Sequence, residues 1–183
     1  MGLAHRRQLA EIIRRYHIPQ RTVAVDPAEL AAQGVTVLVL DFDGVLSYHR
    51  DDTPLPEIEE WLRRCALTLG EDRIFILSNR PDPVRADYFR RTFPAVRFVS
   101  GVRKKPFPDG LLRIMELSGA VPGQVVMLDD RLLTGVLGAC LAGVGVIYIT
   151  APYVSLAQRP LLESCFLLLR ILERGLIVMV NKF

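Results

Sequence analysis

Five short and almost unbroken apolar runs recur along the chain, at residues 35–40 (VTVLVL), 73–77 (RIFIL), 96–99 (VRFV), 124–128 (QVVML) and 144–149 (VGVIYI). None alternates polar with apolar, so each is read as a strand buried on both faces, as in a parallel sheet. Between them lie stretches with helical spacing. Residues 55–69 place Ile58, Trp61, Leu62, Cys65 and Leu69 on one face, and 84–93, 110–117 and 132–142 follow. Strictly alternating strands and helices need crossover connections, and these are right-handed. The pattern predicts an α/β chain with three layers, a Rossmann-like parallel sheet between helices. Two further helices are expected ahead of the first strand, around 5–16 and 27–33. This sets residues 1–34 apart as an N-terminal helical segment packed on a core formed by 35–183.

Composition narrows the class. At 183 residues, half of them hydrophobic, the chain is long enough for one well-buried core without staples. A net charge of +3 permits an anionic substrate and lacks the basic stripe of a nucleic-acid binder. Cys65, Cys140 and Cys165 are odd in number and widely spaced, as are His5, His17 and His49. They predict no disulfide frame and no zinc site. The cysteines read as buried small hydrophobes in a reducing, cytoplasmic compartment. The basic N-terminus has no apolar central run of the secretory kind. The most apolar stretch, 161–180, carries Glu163, Arg170, Glu173 and Arg174, which make a spanning helix costly. Two placements remain for it: a helix and strand packed on the core, or a helix lying peripherally on a membrane surface.

In open α/β sheets the site forms beyond the carboxyl ends of the strands. The first sheet run is followed by Asp41-Phe42-Asp43-Gly44, the second by Ser78-Asn79, and the fourth by Asp129-Asp130, with Lys104-Lys105-Pro106 ahead of that run. These residue types suit phosphoryl transfer. A carboxylate can attack phosphorus, and a second one can move the proton of the leaving oxygen. A hydroxyl and a lysine can hold the phosphate oxygens, and further carboxylates can hold a hard cation. A receiver domain uses similar groups, but there the acid pair follows the first strand and the phosphorylated aspartate a later one. The run 47–52 (SYHRDD) is either a flap touching substrate or a plain polar loop.

DFDGVL, SN, KKP and LDD, in this order at strand ends, resemble the four motifs of the haloacid dehalogenase superfamily over about residues 35–150. The lead-in IPQRTVAVDPAEL, SNRPDPVR, KKPFPDGLLRIME, LDDRLLTGVLGA and LLRILERG are similar to its capless class IIIA branch, which includes YqeG-like proteins and the mitochondrial phosphatidylglycerophosphatase. The resemblance implies strand order 5-4-1-2-3 and no cap domain. It implies Asp41 as nucleophile and Asp43 as general acid/base. Ser78, Asn79 and Lys105 would be at the phosphate, and Mg²⁺ would lie on Asp41, the Asp43 carbonyl and Asp130. It implies a phosphorylated small molecule or a phosphatidylglycerophosphate-like lipid as substrate.

The chain departs from the branch at the fourth motif, which usually reads GDQ-x-x-TD. Gly135 stands where the second acid is expected, and Asp129 where glycine is usual. Either Asp129 compensates or the metal is held less firmly. In the second case Gly135→Asp is expected to tighten magnesium binding. Two functional readings follow: a magnesium-dependent phosphatase working through an aspartyl-phosphate, or a degenerate member acting as a binding or scaffold protein.

Overall fold

The fold is that of a computed structural model describing residues 4–80 and 82–181; Pro81, inside the SNRPDPVR segment, lies outside them. All five apolar runs form strands: β1 (Val37–Leu40), β2 (Ile74–Ile76), β3 (Arg97–Phe98), β4 (Val125–Asp129) and β5 (Gly145–Tyr148). They pair in parallel in the order β3-β2-β1-β4-β5, as expected. The helices are α1 (Arg6–Arg15), α2 (Pro27–Ala32), α3 (Pro56–Leu69), α4 (Pro83–Thr92), α5 (Asp109–Ser118), α6 (Leu137–Ala142) and α7 (Pro160–Val180).

Alternation along the strands divides the core in two. Leu38, Leu40, Ile74, Ile76, Val126 and Leu128 join a cluster with Ile58, Trp61 and Leu62 of α3 and Phe89 of α4. Val37, Val39, Phe75, Val125 and Met127 form the other, with Leu111 and Ile114 of α5 and Ala139 of α6. Every one of the four β1 side chains is buried, which accounts for the unbroken apolar run. Between β1 and β2 lie only α3 and a single 3-10 turn at Glu71–Arg73, so no large cap domain is inserted there.

A third cluster lies at the β5 side. Leu9, Ile12 and Ile13 of α1 pack with Leu132, Val136, Leu137, Tyr148 and Ile177 of α7. Here the sequence expectation for the C-terminal stretch is corrected. Residues 160–180 form one continuous helix with no strand, and the helix is inverted in polarity. Glu163, Arg170 and Glu173 are buried, while Leu161, Leu168, Ile171, Leu172 and Met179 are exposed. The reason is spacing. Residues 163, 166, 170, 173 and 177 share one face of a 3.6-residue helix, and most of that face is charged. Cys165 also lies exposed on α7, unlike buried Cys65 and Cys140. Among the described residues, no helix is long and apolar enough to cross a membrane.

Candidate active site

β1 pairs with β2 on one side and β4 on the other, so strand order reverses at β1, and the crevice opens there. Main-chain bonds continue the ladder to its rim: Asp41 N–H donates to Leu128 O at 3.0 Å, and Leu77 N–H to Leu40 O at 2.9 Å. Asp41, Ser78 and Asp130 thereby reach one cavity of about 320 Å³. Asp43, His49, Arg50, Asn79, Arg80, Lys105, Arg131, Thr134, Leu162 and Phe166 complete its lining.

Lys105 is the centre of the charge arrangement. Its ammonium lies 2.9 Å from Asp41 Oδ1 and 2.7 Å from Asp129 Oδ2, with all three side chains buried or nearly so. Burial opposes the lysine's charge, but Asp129 and Asp41 outweigh it and raise its pKa. The same burial pushes Asp41 up to about 6 despite Lys105, and raises Asp129. Asn79, expected at the phosphate, spends its side-chain amide on the main chain of Lys105 instead. Its oxygen accepts Lys105 N–H at 2.6 Å, and its nitrogen donates to Lys105 O at 3.1 Å. Asn79 positions the lysine segment. Ser78 Oγ accepts Arg80 N–H at 3.2 Å and remains on the cavity wall, while Asp82 caps α4 by accepting Val84 N–H.

Asp43 is held by Arg85 of α4, whose two terminal nitrogens donate to its oxygens at 2.7 and 3.3 Å, and by Arg50 N–H at 2.9 Å. Burial works against its charge, yet Arg85 prevails and holds the carboxyl below its usual range. Arg85 itself is 2% exposed and stacks over Phe42 at 3.9 Å.

Helix α7 supplies the far wall. Arg170 Nε donates to Asp130 Oδ2 at 2.6 Å, and a second guanidinium nitrogen also pairs with that carboxylate. Burial still pushes Asp130 up to about 6. His49 Nδ1 lies 2.9 Å from Glu163 Oε2, and its ring stacks on Phe166 at 4.0 Å between centroids. Burial and Arg170 lower the His49 pKa against the pull of Glu163, so the neutral ring donates from Nδ1 to Glu163. Glu173 accepts Leu132 N–H at 3.0 Å and pairs with Arg131, satisfying a helix-start donor from a distance. The SYHRDD run is therefore a tethered wall of the site, with Ser47 and His49 buried. Gly44, at φ +81°, lets it pass. A Cβ there would lie 2.8 Å from Asp130 Oδ2 and 2.9 Å from Arg170 Nη2.

Asp41, Asp129 and Asp130 can bring one oxygen each within 4.8 Å of the others. Three buried carboxylates face two buried cations, Lys105 and Arg170, which leaves excess negative charge. Oxygen donors with an uncompensated charge fit a hard divalent cation. The Asp43 side chain lies outside that group.

Sequence reasoning anticipated Asp41, Asp43, Ser78, Lys105 and Asp130 on one rim, and the structure brings them there. It missed Arg85, Arg170, Glu163 and Glu173. The signal for the last three was available in their heptad-like spacing within an apolar stretch. The expectation that Gly135→Asp would tighten magnesium binding meets a steric conflict. A Cβ at Gly135 would meet Asp129 Cβ at 2.7 Å and lie closer still to its carboxylate, so an aspartate cannot be added there while Asp129 keeps its place.

The sequence matches the haloacid dehalogenase-like hydrolase family over residues 2–143. Among curated proteins none matches it. Of solved structures, a similar one is an uncharacterized protein from Corynebacterium glutamicum ATCC 13032 Kitasato. It is 25% identical, the match covers 63% of this chain and 85% of that one, and the TM-score is 0.49. With more than half of its length matching the family, and with the acids and lysine of the site at the carboxyl edge of a parallel sheet, the chain belongs to the haloacid dehalogenase-like hydrolases.

Proposed function

We propose that the protein is a phosphatase that hydrolyses a phosphate monoester through an aspartyl-phosphate on Asp41. The observation that carries this reading is the pairing of Asp41 with a buried, charged lysine at the floor of an open cavity. A carboxylate fixed beside a cation can receive a phosphoryl group whose oxygens that cation then balances.

In the first half, an Asp41 oxygen bonds to phosphorus as the ester P–O bond breaks. Protonated Asp43 gives its proton to the departing alkoxide, releasing an alcohol. In the second half, water attacks the phosphorus and Asp43 takes its proton. The bond to Asp41 breaks, leaving inorganic phosphate and the free carboxylate. Lys105 and Ser78 hold the equatorial oxygens. Mg²⁺ on Asp41, Asp130 and the Asp43 carbonyl would supply the remaining positive charge. Arg85 holds the Asp43 carboxyl below its usual range, which favours the carboxylate that serves as base in the second half; the proton it gives in the first half enters with the monoanion of the ester.

The open cavity and the inverted α7 favour a substrate presented on an anionic bilayer, a phosphorylated lipid head group. Leu162 and Phe166 of α7 line the cavity, while the same helix exposes Leu161, Leu168, Ile171 and Leu172. α1, packed beside α7, exposes Arg7, Arg14 and Arg15. Exposed leucines on α7 and exposed arginines on the helix packed beside it suit an interface of acyl chains and anionic head groups. The test measures magnesium-dependent phosphate release from soluble esters and from lipid phosphates in mixed micelles, with flotation on anionic and neutral vesicles. Phosphate release lost in Asp41→Asn supports the phosphatase. No release from any ester at saturating magnesium refutes it, and no flotation on anionic vesicles at low salt refutes the lipid assignment.

A further inference from the structure

Gly135 lies in the wide turn at Leu132–Val136 that leads into α6. Its φ is outside the left-handed region, so the backbone does not demand glycine there. Space does. The three heavy atoms nearest to a Cβ at this position all belong to the side chain of Asp129, and its Cβ, at 2.7 Å, is the farthest of them. Real Cβ atoms do not approach within 3.0 Å, and what they would displace here is a short side chain with no slack. Asp129 is fully buried and both its oxygens are committed. Oδ2 lies 2.7 Å from the Lys105 ammonium, and Oδ1 accepts Arg131 N–H at 2.9 Å.

We propose that Asp129 and Gly135 act as one reciprocal device. Asp129 is the positioning residue that holds Lys105 against Asp41, and residue 135 is glycine because the Asp129 carboxylate occupies the volume its side chain would take. The carboxylate that steadies the lysine is thus delivered from the end of β4 rather than from the following turn. Only one of the two positions can carry it. A carboxylate grown from position 135 starts where the Asp129 oxygen now sits, within reach of the same ammonium.

Asp129 also belongs to the group of three acids able to surround a cation. Its oxygens already face a lysine and a main-chain N–H, so the geometry makes it the anchor of the lysine and leaves the metal to Asp41 and Asp130. The positioning role rests on the phosphatase reading, whereas the reciprocity rests on packing alone.

The test compares the parent with Asp129→Gly, Gly135→Asp and the double variant carrying both. Gly135→Ala serves as a milder intrusion and Asp129→Asn as a milder deletion. Melting temperature is read without metal. Binding of inorganic phosphate and turnover are read at saturating magnesium, and half-saturation by magnesium is read for Asp129→Asn.

Each single variant should melt lower than the parent. In Asp129→Asn, phosphate binding should weaken by about tenfold to a hundredfold, the scale for losing a group that orients a ligand-binding side chain. Its magnesium half-saturation should stay within about threefold, as for a residue off the metal. The double variant should melt above both singles and regain at least about tenfold in phosphate affinity over Asp129→Gly.

Gly135→Asp or Gly135→Ala melting like the parent would overturn the proposal, as would a double variant no better than the worse single. So would Asp129→Asn if it lost magnesium affinity and kept phosphate affinity, which would make Asp129 a metal ligand. If the parent hydrolyses no ester, the phosphatase reading fails by itself. The melting and phosphate-binding cycles still decide the pair.

Discussion

Replacing Arg85 by methionine tests whether the buried guanidinium sets the state of the proton-handling carboxylate. Three interactions go at once: the two-pronged pair with Asp43, the Nε–H bond to Asp51 O at 2.8 Å, and the stack on Phe42. Stranding one member of a buried pair costs about 3–5 kcal/mol, and the 22% exposure of the Asp43 side chain places this case at or below the lower end. The stack contributes roughly 1–2 kcal/mol and the main-chain bond about 1 kcal/mol. Methionine refills much of the apolar volume, so a net loss of about 4 kcal/mol is expected. For a domain of this size it lowers the melting temperature by roughly 8–16 °C.

The pH dependence has a definite sign. In the parent, Asp43 lies below its usual range, so its pairing stabilises at neutral pH and is lost only as pH falls through that lowered value. In the variant, burial acts unopposed and raises Asp43, a penalty present at neutral pH and relieved as the group protonates. The gap between the two proteins should therefore narrow from about pH 7 to about pH 4. The alkaline limb of kcat/KM should move to higher pH in the variant, because the protonated acid persists further. Calorimetry across this range and a pH–rate profile supply the measurements. A gap below about 2 °C at neutral pH, or one that widens toward acid, would refute the reasoning.

Asp41→Asn should abolish turnover while the melting temperature stays near or above that of the parent, because an amide does not form the acyl-phosphate; near-normal phosphate release in this variant excludes the covalent route. Asp43→Asn should slow turnover by roughly a hundredfold with little change in half-saturation by magnesium, and a large loss of metal affinity would instead identify its side chain as a ligand. Magnesium should raise the melting temperature more at about pH 7.5 than at about pH 5.5. Asp41 and Asp130 are pushed up to about 6 in the metal-free site, so below that the ion must displace protons to bind; a shift independent of pH would count against them as ligands. Leu168→Glu with Ile171→Glu should abolish flotation on anionic vesicles and leave hydrolysis of a soluble ester within about twofold, since both side chains face outward.

The sheet was legible because its signal is local and redundant. Val37 to Leu40 are all buried, so no polar residue interrupts the run, and Gly70, Gly119 and Gly143 mark the helix ends with positive φ. Boundaries moved by a residue or two, and the stretch at 132–142 opened with a wide turn before becoming helical at Leu137. The acids and the lysine were legible because strand ends place them. Their partners were not. Arg85 lies 42 positions from Asp43, and Arg170 lies 40 from Asp130. Nothing local distinguishes Arg85 from a solvated arginine, whereas Arg170 shares the helical spacing of Glu163 and Glu173 within an apolar stretch. Asn79 was assigned to the phosphate by the resemblance of the SN pair to the family's second motif, and only the coordinates of Lys105 show where its amide points.

The inverted helix follows from the same physics once the site is known. A segment with the composition of α7 gains most by burying leucines, so hydropathy favours turning them inward. That arrangement would leave Asp130, Leu132 N–H and His49 without Arg170, Glu173 and Glu163. Each is a buried polar group whose loss of a partner costs about as much as a buried leucine gains. Three such debts on one face decide the orientation, and Ile177 with Phe166 adds apolar contact at the same seam. The leucines are left outside, on the helix that walls the cavity. Fold and proposed substrate are thereby linked: the charges that α7 commits to the site turn its apolar face outward, the face a bilayer would meet under the proposed lipid reading.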